Sequence, residues 1–434
     1  MRAVGVVVAL AALLAGCAVL DASVVSEPGL PTSTVAAPVD APREDPGHLR
    51  LEEHADDVQV ALDAISAAFL AADREALRPW LADPDSAFGE RWLQRAVSMA
   101  EVPFSTYTLR LDTSGADLTT GTVPGDGGLL VNVLEEHDLD GFEALGPLRE
   151  HLFLTMRRAD DGRWTVAGDT DGESLGLVSV DHLWDHGPVV ATRRGSLLAL
   201  HHPGQAAVGT LLDEAARALA VTDERWPLDW PSAVPMLVPA DQDELAELLH
   251  VTFSLDNFIA FATATPIVEL GDVDLSGSRI MLNTGRFLDR PSATRERILV
   301  HELVHAASRP SSVPEVPSWL EEGVAQALGE RQSTTGTSLL GALADTDWDG
   351  SLPLDAEFST GDREDIFLSY QRAWSFVAWL DDQYGTEAVG AFYAAAGRAS
   401  AGEPGTASAR VDRAAQQVFG SSMADLRAAW RATL

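Results

Sequence analysis

The pentapeptide His301-Glu302-Leu303-Val304-His305 places two imidazoles four residues apart. Positions i and i+4 share one face of a helix, so both rings can converge on one metal ion. Glu302 stands about 100° further round the helix than His301, where it can reach a water on that ion. Ile298, Leu299 and Val300 come just before, so this helix is expected to be apolar and buried. Two imidazoles and a carboxylate in such a helix carry a desolvation cost that a bound metal removes.

A second cluster follows at Trp319-Leu320-Glu321-Glu322-Gly323-Val324-Ala325. Sixteen residues separate His305 from Glu322, and Pro310, Pro314 and Pro317 mark a loop among them. The spacing predicts a loop and then an antiparallel helix. Ser318 and Glu321 fit a capping box, which gives Glu321 a structural role. Glu322 then points about 100° further round, free to ligate. Gly323 costs the helix about 1 kcal/mol against alanine, which a close approach to the metal helix would justify. Two histidines and one glutamate leave one position open, as a catalytic zinc site requires.

HELVH followed by WLEEGVA resembles the HExxH…WLxEG-A signature of the gluzincin superfamily of zinc metallopeptidases, which includes thermolysin and the membrane-alanyl aminopeptidase type. The chain is most similar to the compact bacterial peptidase MA-like domains. The resemblance covers about 180–434 and takes in YQRAWSFVAWLDDQYG (Tyr370–Gly385) and the closing Phe419-Gly420…Trp430 segment. It implies that His301, His305 and Glu322 hold Zn2+ and that Glu302 is the general base for hydrolysis of a peptide or protein substrate. Tyr370 aligns with the family's tyrosine and is the expected oxyanion donor. Tyr370, Trp374, Val377 and Leu380 also read as a helical core stripe. The segment that grips a free amino terminus in the aminopeptidases is absent, so an endopeptidase is expected. Gln326 stands where thermolysin-like enzymes have an aspartate.

The elements that must position this site form an α+β chain. After Pro291 the sequence is mostly helical. Before it, strands are predicted at Val189–Thr192, Leu197–His201, 233–238, Phe258–Ala262 and Arg279–Leu282, with helices over about 206–220 and 241–250. Arg279–Leu282 is expected to be the sheet edge that pairs with an extended peptide. Upstream, Val58, Leu62, Ile65, Phe69 and Ala72 repeat at helical spacing, and a second helix covers about 86–100. Strands follow at 104–111, 129–134, 151–158 and 163–168. In element order this small α+β domain, 48–175, resembles the cone-shaped fold of nuclear transport factor 2 and SnoaL-like domains. It is read as a spacer or interaction module ahead of the peptidase domain at 180–434.

Met1-Arg2 and the apolar run 3–15 make a secretory signal, too short to span a membrane comfortably. It ends at Leu14-Ala15-Gly16-Cys17, which resembles the bacterial lipobox. Cleavage after residue 16 and lipidation of Cys17 would anchor the chain to the outer face of a bacterial membrane. Residues 17–47, with five prolines, read as an extended tether. Cys17 is the one cysteine of 434 residues, which excludes an internal disulfide or a cysteine-rich metal site. There is no lysine, and 66 acidic against 30 basic residues give a net charge of −36, which argues against nucleic-acid binding. His54, His137, His151, His182, His186 and His250 are scattered and are read as surface residues. The competing reading from another class is a catalytically silent surface binding or scaffold lipoprotein on a peptidase fold.

Overall fold

The computed structural model describes residues 15–16, 51–112, 128–251, 254–256, 258–269, 272–311, 316–330, 350–358, 363–397 and 407–434. Cys17, most of the signal segment and the tether over 17–47 lie outside the described residues. No described helix is long and apolar enough to cross a membrane.

The N-terminal unit begins with the helix Ala55–Leu70, whose Val58, Leu62, Ile65 and Phe69 are buried at the predicted spacing. The helix Ala87–Ser98 follows, capped by the Ser86 hydroxyl, which accepts from the Gly89 N–H. Four antiparallel strands come next in sequential order: Phe104–Leu111, Leu129–Leu139, Leu148–Arg158 and Trp164–Gly168. The two long strands extend well beyond the predicted 129–134 and 151–158.

A second sheet backs the helix that holds His301 and His305. Its strand order is Ala260–Glu269, Asp272–Leu282, Val234–Val238, Leu197–His201 and Val190–Arg194. The helix Val208–Arg225 connects Leu197–His201 to its parallel neighbour Val234–Val238. Ala15 and Gly16 pair antiparallel with Ala262 and Phe261 on the outer side of Ala260–Glu269. This topology corrects the expectation for Arg279–Leu282. That segment lies one strand inside the sheet, between Ala260–Glu269 and Val234–Val238, because the 260–282 hairpin folds outward. Apart from the two residues Ala15–Gly16, Ala260–Glu269 is the outermost strand.

The two faces of this sheet enter two different cores, as strand alternation requires. Leu197, Ala199, Met236, Ala262 and Ile280 face the helices of the C-terminal part. Leu198, Leu200, Leu237, Phe261 and Met281 share a core with the N-terminal unit. The sheet is therefore a common wall, with the N-terminal unit seated directly on it.

The helical part packs on the first face. The helix Ser292–Ser308 starts after Pro291, whose carbonyl accepts from the Thr294 and Arg295 N–H groups. The helix Ser318–Glu330 lies against it and is backed by the long helix Arg363–Tyr384. Gly385, at φ +88°, ends that helix in the left-handed region and lets Thr386–Gly397 turn back over the core.

Candidate metal centre

His301 and His305 sit in the buried half of Ser292–Ser308, and Glu322 near the start of Ser318–Glu330. All three side chains are buried. The Nε2 atoms of His301 and His305 lie 3.0 Å apart. Glu322 Oε2 is 3.2 Å from the first and 3.5 Å from the second. One atom from each residue thus forms a closed triangle, a group that could hold a metal ion. Tetrahedral ligands at about 2.0–2.2 Å from a metal stand about 3.3 Å apart, which matches the triangle. Two nitrogens and one carboxylate oxygen are a donor set suited to zinc.

The electrostatics are those of a site prepared for a cation. Burial alone would lift the Glu322 carboxyl, but the His305 and His301 imidazoles overcome it and hold it at about 2. Glu302 behaves oppositely. It is fully buried, and neither carboxylate oxygen has a well-formed hydrogen-bond partner. Burial pushes its carboxyl up to about 8; His305 and the Ala262 backbone offset this in part, and Glu322 adds to it. A carboxyl tuned towards neutrality suits proton transfer at neutral pH.

A buried network surrounds the ligands. Ser308 donates to the His305 carbonyl at 2.9 Å. The Tyr393 hydroxyl lies 3.1 Å from Ser308 Oγ and 3.4 Å from Glu321 Oε1. Arg309, directly after the metal helix, meets Glu321 at 3.4 Å and donates to the Ala262 carbonyl at 3.3 Å. Ala262 belongs to the edge strand, so one arginine ties the sheet edge to both ligand-bearing helices.

Two local expectations are corrected here. Glu321 does not form a capping box with Ser318. Pro317 precedes the helix and its carbonyl takes the Leu320 and Glu321 N–H groups, while Ser318 N–H donates to Asp355. Glu321 is structural, but through Arg309 and Tyr393. Gly323 does not face the metal helix either. A Cβ there would come within 2.7 Å of Val377 Cγ2 and 2.8 Å of the Ala373 carbonyl, on Arg363–Tyr384. Gly329 is the glycine beside the metal helix, with His301 at 3.7 Å from an added Cβ.

Tyr370 lies buried in the same core as the metal helix, its ring edge-on to Phe358 at 5.1 Å between centroids. The stripe reading holds for Val377 and Leu380, which are buried with it, while Trp374 packs against this core partly exposed.

His137 and His182, expected at the surface, are buried in a polar cluster of the N-terminal unit. Arg95 there contacts Glu135 at 2.6 Å and Asp185 at 2.9 Å. The partners come from distant segments, so no local pattern announced them. A second group with possible ligand atoms, Asp181, His186 and Glu247, is more exposed. Both nitrogens of its histidine are engaged, at 3.0 Å from Asp181 and 3.3 Å from Glu247, which is the geometry of an ion pair.

No family model matches this chain, and no curated protein matches its sequence.

Proposed function

We propose that this protein is a zinc-dependent peptidase of gluzincin type, tethered through lipid on Cys17 to the outer face of a bacterial membrane. Glu302 is the observation that carries the reading. A fully buried carboxylate with no well-formed hydrogen-bond partner, one residue from a ligand triangle, has no packing reason to be there. It has a chemical one.

His301, His305 and Glu322 would hold the zinc. Once bound, zinc supplies Lewis acidity, polarising a carbonyl and making a water easier to deprotonate. Glu302 takes the proton from the attacking water and returns it to the leaving amine nitrogen. The substrate backbone pairs with the edge strand at Ala260–Glu269. Ala15–Gly16 occupy that edge as an extended antiparallel segment, so the edge accepts a peptide backbone at Ala262. Arg309 ties Ala262 to the metal helix through a hydrogen bond to its carbonyl. Tyr370 is the proposed donor to the oxyanion of the tetrahedral intermediate.

The test is metal analysis of the purified protein coupled to cleavage of a broad peptide library. About one zinc per chain, with internal peptide bonds cut and both lost on chelation, supports the proposal. Zinc without cleavage would point instead to the silent scaffold reading, and a well-folded protein with no metal would end both.

A further inference from the structure

The N-terminal unit grips the second sheet at an irregular point of the hairpin 260–282. The register between Ala260–Glu269 and Asp272–Leu282 shifts between Ser276 and Arg279, and Gly277 there has φ +64°. This is a β-bulge, which breaks the ladder and re-aims the side chains beside it. Glycine takes that conformation without strain. A strand pair that slips by one residue turns every side chain to the other face, so an irregular register needs pinning.

Three contacts reach the bulge from the start of the strand Leu148–Arg158. The Ser276 hydroxyl donates to the Pro147 carbonyl. Gly277 approaches Leu148 so closely that an added Cβ would come within 2.8 Å of its side chain and 2.9 Å of its Cα. Arg279 Nη2 donates to Glu150 Oε1 at 2.8 Å. The side chains of this ion pair are only 12% and 17% exposed. Burial would lift the Glu150 carboxyl, but Arg279 and then His182 hold it below its ordinary value, so the pair is ionised at neutral pH. The contacts at Ser276 and Arg279 stand on either side of the register shift and fix it.

The pinned register lies beside the metal centre. Arg279 is paired with Thr263, and Ile280 with Ala262. Ala262 is the residue whose carbonyl takes Arg309 from the end of the metal helix. The outer strand is therefore held from two directions. Arg309 ties it to the metal helix, and Arg279, through the strand pairing, ties it to the N-terminal unit.

We infer that Glu150 is a positioning residue for peptide binding: by holding Arg279 at the bulge, it fixes the register of the strand pair whose outer member receives the substrate backbone. The N-terminal unit is then a working part of the peptide-binding edge and not a spacer. The inference rests on the proposed pairing of substrate with Ala260–Glu269. Glu150 acts through Arg279 and the strand pair, away from the metal ligands. An edge that must be ordered each time a peptide binds binds it more weakly, while the metal site keeps its chemistry. Loss of the tie should therefore appear in KM and spare kcat.

The test is Glu150→Ala in the full chain, read in two ways. Hydrogen exchange is followed over 260–269, 272–282, Ser292–Ser308 and Leu129–Leu139. KM, kcat and zinc content are measured with a peptide long enough to pair along the edge. Exchange should quicken about tenfold over 260–269 and 272–282 and stay at the parent rate over Ser292–Ser308. KM should rise about tenfold, a difference of about 1.4 kcal/mol, with kcat and zinc content unchanged. Ser276→Ala removes the second tie without stranding a buried charge and should raise KM about threefold, as loss of one hydrogen bond does. If Glu150→Ala does not fold, Ser276→Ala carries the test. Faster exchange confined to Leu129–Leu139, a parental KM in the variant that carries the test, or a fall in kcat matched by loss of zinc would overturn the inference. Exchange needs no peptidase activity. Parental exchange across the hairpin would sink the grip alone, whereas a zinc-loaded parent that cuts no peptide would sink the peptidase reading.

Discussion

Arg309 donates to the Ala262 carbonyl at 3.3 Å, which fastens the outer strand of the sheet to the end of the helix carrying His301 and His305. The same guanidinium faces Glu321, the residue next to the third ligand position. The ion pair is buried on both sides, at 2% and 4% exposure. Breaking one half of such a pair strands the other. Arg309→Leu is therefore expected to cost about 3–5 kcal/mol in chemical denaturation. The double variant Arg309→Leu, Glu321→Leu should recover part of that loss. A single variant as stable as the parent would show that the pair holds nothing together.

Two glycines in one helix should respond in opposite ways. Gly323→Ala pushes a methyl group into Val377 and the Ala373 backbone, and overpacking of this kind costs about 1–3 kcal/mol. Gly329→Ala meets only ordinary contacts, with the Arg297 carbonyl at 3.6 Å, and gains up to about 1 kcal/mol of helix propensity. Thermal melts of the two variants should move in opposite directions, and a common shift would contradict the packing described.

These glycines also show how far the sequence could be read. The i, i+4 histidine pair needs only helical periodicity, and the structure forms a helix over Ser292–Ser308 with both rings on one face. Glu322 was separable from Glu321 by rotation about the helix, although the partner of Glu321 was not. Arg309 and Tyr393 lie 12 and 72 residues away from it, and no periodicity connects them. The neighbour of Gly323 is hidden for a similar reason: two adjacent helical patterns do not reveal a third helix, Arg363–Tyr384, packed against them. Arg279–Leu282 looked like an edge because it comes last before the metal helix. Chain order does not fix sheet order in a hairpin that folds outward. His182 reads as a surface residue because the carboxylates that face it, Glu135 and Glu150, come from two strands far back in the chain.

Acid should unfold the N-terminal unit early. Burial holds His137 down at about 3, against its ordinary 6.5. The unfolded chain therefore binds a proton there that the folded chain refuses, and stability falls as pH drops from 6.5 towards 3. Burial would raise Glu135, but Arg95 and then His182 overcome it and hold its carboxyl far below the ordinary 4.5. Its contribution is present above that value and is lost as pH falls below it. His186 works the other way. Its hydrogen bond to Asp181, against partial burial, raises it to about 9, so its contribution is full below 6.5 and lost as pH rises through 9. Denaturation midpoints against pH should fall off on both sides. A shallower acid limb in His137→Phe than in the parent is expected, and an unchanged slope would show that the histidine contributes nothing to it.

Tyr370→Phe keeps the ring that packs on Phe358 and removes only the hydroxyl. If the hydroxyl supports the oxyanion, kcat should fall about 10²-fold or more while zinc content and thermal stability stay at parent values. Unchanged kcat would leave Tyr370 as a core residue alone.

The most direct measurement pairs zinc content with peptide cleavage in Glu302→Gln. The carboxamide is nearly the same size as the carboxylate, and it removes the buried ionisable group without touching His301, His305 or Glu322. The account predicts zinc at the parent level, a fold at least as stable as the parent, and cleavage reduced to background. Cleavage at the parental rate with zinc still bound would contradict the role given to Glu302, and with it the peptidase reading of this site.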